Sequence, residues 1–386
     1  MTLKSLMALA AFSLAATGVF AQTQGVGKNE IVIGSIQDLS GPVAGFGKQA
    51  RLGMMLRVDE VNEQGGIHGR KLKLLIEDSG YDPKRAVLAA QKLVHQDQIF
   101  LMAGHLGSAH NNAAMPVQFE KNVINFLPLN AAREMYEPFH KLKYAFLATY
   151  FDQVRMALPK LIKEKGAKKV CAIHQDDEFG LEVLRGAEAG LKTLNMELTE
   201  KTSFKRGATD FSSQVARMKA GGCELVVMGT IIRETIGTVG ESRKTGFNPT
   251  FLGTAACYTE LIHKLGGKAM DGLYATHTAQ QPYLDEASQP IRFWASKYKT
   301  KFNEDPTVFS VYGYNVIDAF VHAAQKAGPG LTPESFIKAM DTMKIPPDIF
   351  GSPEASYGPT KRLGSSLSRL SQLQDARWKV VADYIK

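Results

Sequence analysis

Short β-branched runs alternate with longer helical patterns along most of this chain, and no other feature constrains its fold as strongly. Residues 30–36 (EIVIGSI) read as a buried strand, 48–62 as a helix stopped by the Gln64–Gly66 turn, and 71–78 as a second strand. Asp82 then supplies a helix cap with Pro83 at the first helical position. Strands at 99–104 and 123–129 flank a helix opening near Ser108. From Phe151 the alternation restarts: a helix to Lys165, strands at 168–175, 196–204, 223–230 and 249–254, and helices between them. Residues 271–279 read as a strand leading out, followed by helices at 287–301, 309–327 and from Pro333. Residues 369–384 (RLSQLQDARWKVVADY) read as a hairpin that turns at Asp375–Ala376. Such alternation implies parallel sheets covered by helices on both faces. At 386 residues the chain exceeds one compact domain. Two α/β lobes are therefore expected, with the chain passing through them more than once.

Charge narrows the class of partner. The 46 Lys and Arg are interspersed with 38 Asp and Glu, so the net charge of +8 forms no dense basic run and gives no reason to expect nucleic acid. The start, MTLKSLMALAAFSLAATGVFAQTQ, places Lys4 before an apolar stretch from about Leu6 to Phe20, with Val19 and Ala21 as the small residues of a cleavage site. That stretch is shorter than the ~20 residues a membrane span needs. The reading is export with cleavage after Ala21 and a soluble mature protein. Cys171, Cys223 and Cys257 form no CxxC and sit among apolar residues, which favours buried free thiols. One disulfide stays open in an oxidising compartment.

The segment AGHLGSAHNNAAMPV, residues 103–117, follows a strand with a glycine turn and opens a helix. In an open parallel sheet that is where ligands bind. A hydrolase elbow requires Gly-x-Ser-x-Gly, which Gly107-Ser108-Ala109 does not satisfy. His105 and His110 have no supporting metal-ligand cluster, and their spacing suits neither a strand face nor a helix face. A third reading fits: Ser108 caps the helix, and the free amides of its first turn make a cradle for a carboxylate. No phosphate loop, zinc motif or dinucleotide fingerprint appears, so no metal and no cofactor are expected. An exported two-lobed chain without a catalytic set is a binding protein.

The residues that follow carry a specific likeness. IVIGSIQDLSGPVAGFGKQARLGMMLRVDEVNEQGGIHGRKLKLLIEDSGYDPKRAV, then GHLGS, HQDDEFG and TDFSSQVARMKAGGCELVVMG, resemble periplasmic branched-chain amino acid (Leu/Ile/Val) binding proteins, the substrate-binding components of ABC importers. The likeness runs over essentially the whole mature chain. It implies a type I periplasmic-binding-protein fold: two Rossmann-like lobes with parallel sheets, joined by a three-segment hinge near residues 150, 278 and 350. The implied division is a signal peptide at 1–21, an N-terminal lobe of 22–149 plus 279–350, and a C-terminal lobe of 150–278 plus 351–386. It further implies a periplasmic monomer that closes over its ligand and presents it to inner-membrane permease subunits. The rivals are a periplasmic sensor of the same fold and an exported hydrolase using Ser108 with His105 or His110.

By the resemblance, Ser108 holds the ligand carboxylate and Leu129, Asn130 and Ala131 form the second loop around it. Phe46 forms an aromatic wall, and Phe179 stands where a far-lobe tyrosine covers the ligand. The departures from the family pattern carry more weight. Ala131 replaces a threonine that helps bind the α-ammonium, Ala255 replaces the acid that neutralises it, and Ile231 replaces a tyrosine. Gly107 and the Tyr81 region stand where the family has a cysteine pair. A buried ammonium without its counter-charge is costly. The favoured ligand is therefore a small aromatic or aliphatic carboxylate without an amino group, with Phe46, Tyr150, Phe179 and Tyr258 available around its apolar body; an amino-acid-like ligand is the alternative.

Overall fold

In the computed structural model, which describes residues 23–385, the alternation becomes two sheets. The expected leader and its cleavage site after Ala21 lie outside the described residues. The first sheet holds β1 (Glu30–Gln37), β2 (Lys71–Asp78), β3 (Leu101–Ala103), β4 (Ile124–Phe126) and β5 (Lys143–Tyr144), in the order β2-β1-β3-β4-β5. All its pairings are parallel. Helices α1 (Ala44–Glu63), α2 (Pro83–Gln91) and α3 (Ser108–Phe119) make the crossovers. α2 starts where its cap chemistry places it: the Asp82 carboxylate accepts from the amides of Lys84 and Arg85, and Pro83 needs no partner for the N–H it lacks.

Past α4 (Tyr150–Lys165) the second sheet begins. It contains β6 (Val170–Gln175), β7 (Glu200–Phe204), β8 (Leu225–Gly229), β9 (Thr250–Gly253) and β10 (Tyr274–His277), all parallel. Between them run α5 (Glu178–Lys192), α6 (Ser212–Ala220), α7 (Ile232–Lys244) and α8 (Glu260–Gly266). The chain then returns to the first lobe as α9 (Gln289–Phe302), α10 (Val308–Ala327) and α11 (Pro333–Met340), with a short pair of strands, β11 (Lys344–Ile345) and β12 (Ala355–Ser356). β13 (Ser368–Gln374) and β14 (Arg377–Ile385) complete the second sheet as an antiparallel hairpin, giving the order β14-β13-β10-β9-β8-β6-β7. Its turn falls at Asp375–Ala376, both with positive φ (52° and 56°), the conformation that matches the twist of the flanking strands.

The third crossover, expected near residue 350, is followed by an extended segment. Residues 355–364 stay against the first sheet: Ala145 donates its amide to Arg362 (2.8 Å) and accepts from Gly364 (2.8 Å). The guanidinium of Arg362 is 3% exposed, over the Tyr144 ring and bonded to Asp341, and it anchors this segment. An extended segment held by one buried arginine leaves no periodic trace in sequence. One expectation needs correction: the three thiols are not all free. Cys171 and Cys223 form a disulfide and Cys257 is free and buried. Cys171 lies on β6, and the register Val170↔Leu225 brings the turn before β8 beside it. That neighbour is set by strand order, not by spacing along the chain.

His277 ties the second crossover to the hairpin. It is fully buried and stacked on Tyr258 at 3.9 Å. Nδ1 lies 2.9 Å from the Ala279 carbonyl and Nε2 lies 2.8 Å from the Ser371 hydroxyl. A carbonyl only accepts, so Nδ1 carries the proton and Nε2 accepts from Ser371. That arrangement fits the neutral ring, and burial pushes the His277 pKa down to about 3. Its stabilising contribution is complete above the unfolded histidine value and is lost as pH falls toward the folded one. Between about pH 6.5 and 4, this ring alone should lower stability by on the order of 3 kcal/mol. Urea unfolding across that window, compared with His277→Gln, checks it. An equally steep pH slope in the variant would refute the assignment.

Candidate functional site

A cavity lies where the carboxyl ends of the two sheets face each other. After β1 come Val43 and Phe46, after β2 Tyr81, after β3 Leu106, Gly107 and Ser108, and after β4 Leu129. From the second lobe come Tyr150 at the start of α4, Phe179 after β6, Ile231 after β8, and Ala255 and Ala256 after β9. Leu147, Phe309 and Tyr312 complete the wall. Seven of the nine expected residues, Phe46, Ser108, Leu129, Tyr150, Phe179, Ile231 and Ala255, line this one space. Asn130 and Ala131 are buried just behind it: the Ala131 carbonyl accepts from the Tyr150 amide (2.7 Å). Tyr258, expected at the wall, instead stacks on His277, and its hydroxyl accepts from the Gln281 amide (3.0 Å).

The polar end of the cavity is built by two loops running side by side. Leu106 and Leu129 form a parallel bridge, and the Leu129 amide donates to the His105 carbonyl (3.0 Å). Asn111 pins the first loop from inside α3, donating to the carbonyls of His105 (2.8 Å) and Gly107 (2.7 Å). Ser108 is not the cap it was expected to be. Gly107 occupies the cap position with φ 96°, which an L side chain rarely adopts, and Ser108 is the first helical residue. The Ser108 hydroxyl is freed from capping: it is 2% exposed and donates to Asn130 Oδ1 (3.3 Å). The amides of Ser108, Ala109 and His110 lie in the first turn, where no preceding helical carbonyl is available to them. Outward amides, one hydroxyl and the positive end of a helix together favour an anion at this point.

The remainder of the cavity is apolar. Phe46 and Phe309 stack face to face at 3.8 Å, and Tyr150 meets Phe179 edge-on at 4.9 Å. No acidic or basic side chain lines the space among the described residues. Asp152, the nearest acid in sequence to Tyr150, is taken by Arg155 (3.0 Å) and the Thr149 hydroxyl (2.9 Å). The free volume is about 40 Å³, room for a few water molecules. No nucleophile–base pair exists here, because Ser108 bonds to Asn130 and the ring nitrogens of His105 and His110 have no partner. Burial drives both rings toward the neutral form, His110 to about 4. Among the described residues no group of three or more His, Cys, Asp or Glu is placed to hold a metal ion.

Tyr81, Phe309 and Tyr312 were missed from the sequence. Tyr81 carries a signal, since it follows a strand end and takes φ 57°. Phe309 and Tyr312 arrive on α10 from the far end of the chain, and nothing local marks them. Beside the cavity one ion pair and one cation–π contact link the lobes. Arg133 of the first lobe grips Glu182 of α5 with two bonds of 2.8 Å, and Arg185 adds a third at 3.1 Å. Burial raises the Glu182 carboxyl, but the hydrogen bonds and charges of the two arginines outweigh it and hold it below the usual range. Arg206, paired with Asp177 (2.7 Å), reaches over the Tyr81 ring at 5.4 Å. The Glu182 side chain is 1% exposed and Arg133 30%, so Arg133→Ala leaves a buried carboxylate with only the more exposed Arg185 as its cation whenever the lobes meet. With allowance for screening at Arg133, cleft affinity should drop about tenfold. The ligand-free radius of gyration should also rise in solution scattering. No change in either quantity would show that the pair does not hold the lobes together.

The geometry has counterparts. The family model for periplasmic binding proteins matches residues 30–376. The Leu/Ile/Val-binding protein of Escherichia coli is 27% identical over 262 residues, covering 68% of this chain and 71% of its own. A leucine-, isoleucine-, valine-, threonine- and alanine-binding protein of Pseudomonas aeruginosa is 23% identical over 319 residues, 82% of this chain and 84% of its own. Among solved structures, a fatty acid ABC transporter substrate-binding protein from Thermomonospora curvata superposes with TM-score 0.85 at 21% identity, covering 94% of each chain. A branched-chain amino acid transporter substrate-binding protein from Streptococcus pneumoniae, in complex with isoleucine, superposes with TM-score 0.79 at 18% identity, covering 93% of this chain and 100% of that one. The chain belongs to the periplasmic binding protein family, on the branch that includes the Leu/Ile/Val-binding proteins, and is a solute-binding protein, not an enzyme.

Proposed function

We propose that this chain is the substrate-binding component of an ABC importer and that its ligand is a small carboxylate without an α-amino group. One observation carries the reading: the cavity keeps a carboxylate cradle at Gly107–Ser108 while no acidic side chain lines it among the described residues. An ammonium placed there loses its water and gains no counter-charge, which costs several kcal/mol. The apolar walls suit an aliphatic or aromatic body. The resemblance implies that Ser108 stands at the family's carboxylate position and that Ala255 and Ala131 are where this chain departs from the family pattern.

In this proposal the lobes comprise residues 22–149 with 279 to about 365, and 150–278 with the remainder. They close by hinge motion, and the monomer presents its closed form to permease subunits from the periplasm, after export and cleavage behind Ala21. The bridge of Ala145 to Leu363 and the entry into β13 at Ser368 support the third boundary.

The test is calorimetric titration of residues 22–386, unfolded and refolded to strip carried ligand. The titrants are leucine, 4-methyl-2-oxopentanoate and benzoate. The proposal expects binding of one or both acids and none of leucine. Ser108→Ala should weaken the acid by about 1.5–3 kcal/mol, the worth of a hydrogen bond to a charged group. Tight leucine binding without binding of the oxo acid would overturn it.

A further inference from the structure

Gln153, in the first turn of α4, is fully buried and stands behind the cleft wall without lining the cavity. Its carboxamide joins three segments that lie far apart in sequence. Nε2 donates to the Ala148 carbonyl (2.6 Å), in the first crossover between the lobes. Oε1 accepts from the Ala255 amide (2.9 Å), on the second-lobe wall of the cleft. It also accepts from the Thr276 hydroxyl (2.8 Å), at the end of β10 where the second crossover begins. The two ends of the carboxamide cannot be exchanged, because the Ala148 carbonyl only accepts and the Ala255 N–H only donates. An apolar side chain of the same length would fill this space without such bonds. A buried polar group with its bonds made holds its partners in a single arrangement.

We infer that Gln153 is a positioning residue for closure, which locks the cleft wall at Ala255 to two of the crossovers so that wall and hinge swing as one piece. The inference rests on the hinge proposed above and names the residue that transmits its motion. The wall has little slack of its own. Behind it the Ala255 amide is held by Gln153, and the next two amides, of Ala256 and Cys257, bond to the Thr254 hydroxyl (3.3 Å) and carbonyl (2.8 Å). The first crossover is clamped from both lobes. Ala148 is held by Gln153 of the second lobe, and the Tyr150 amide donates to the Ala131 carbonyl of the first (2.7 Å). Bending there is confined to a few residues, as in other hinges. A rotation about them carries α4, the end of β10 and the wall at Ala255 together. Without the carboxamide the Ala255 amide and the Thr276 hydroxyl lose their acceptor, the three segments move separately, and the lobes take a range of angles.

The test reads the angle between the lobes in the ligand-free chain. Nitroxide labels go on Leu88→Cys in α2 and Lys244→Cys in α7, both exposed positions, and double electron–electron resonance gives the distance distribution between them. The native disulfide and the buried Cys257 leave the introduced thiols as the reactive ones. Arg133→Ala, expected above to let the lobes part, is the control for motion. Gln153→Met keeps the length, loses all three bonds, and should broaden the distribution toward longer distances. Thr276→Val unhooks one crossover and should broaden it less; it carries the test if Gln153→Met does not fold. Gln153→Glu at about pH 5, where a buried carboxyl is protonated, repeats the donor and acceptor pattern of the amide. It should restore the wild-type distribution measured at that pH. A distance that moves in Arg133→Ala but in neither Gln153→Met nor Thr276→Val would overturn the inference and leave the hinge standing. So would Gln153→Glu remaining as broad at pH 5 as Gln153→Met. One fixed distance in the wild type and in every variant would overturn the hinge and the inference with it.

Discussion

A carboxylate drawn into a closed, apolar cleft must exchange its water for donors that are already fixed, and on the proposed function this requirement shapes the molecule. Side chains on flexible stems pay entropy to gather around an anion, whereas the first turn of a helix holds its amides outward at no further cost. To present such a turn at the centre of the protein, the chain needs a strand that ends there and a helix that starts at once. β3 and α3 supply both, and glycine at 107 permits the left-handed backbone between them. Parallel strands then place the β1, β2 and β4 loops at the same edge, so one topological choice fixes the first-lobe wall from Phe46 to Leu129.

The second lobe brings apolar surface and closure. Its loops after β6, β8 and β9 contribute Phe179, Ile231, Ala255 and Ala256, none of which competes for the anion. Holding two lobes together over so small a cavity needs contacts outside it, and Arg133–Glu182 is the strongest in geometry. A surface ion pair contributes little. This pair differs because the carboxylate is 1% exposed and receives two arginines, so its bonds have to offset desolvation and do so with bidentate geometry. The strength of the contact comes mainly from what its loss would leave behind.

Local chemistry was legible in the sequence; partners set by topology were not. Asp82-Pro83 fixed the start of α2, and Asp375–Ala376 fixed the hairpin turn, because caps and turns are decided within a few residues. Ser108 was placed at the right helix but one position early, since serine and glycine both serve as caps and the sequence does not say which takes the strained φ. The Cys171–Cys223 bond depends on β6 lying next to β8, and Phe309 and Tyr312 depend on where α10 returns. Tyr258 follows a strand end just as Tyr81 follows another, yet it turns away to stack on His277, whose neutral ring gives it a flat partner.

Specificity in such a fold moves through a few positions while the frame stays. The cradle is made mostly of backbone, and backbone amides survive substitution of the residues that carry them. The ammonium site of an amino acid binder is made of side chains, and a carboxylate shortened to a methyl, as the resemblance implies at Ala255, would remove it at one step. The energetic consequence is asymmetric. Losing the acid penalises every zwitterion by several kcal/mol, because the buried charge stays unpaired. It also spares ligands without the amine the cost of leaving a buried carboxylate bare. On the proposed reading, the substitution that disfavours amino acids also makes the cleft a better host for their analogues without the amine, and the stacked Phe46–Phe309 wall is indifferent to the change.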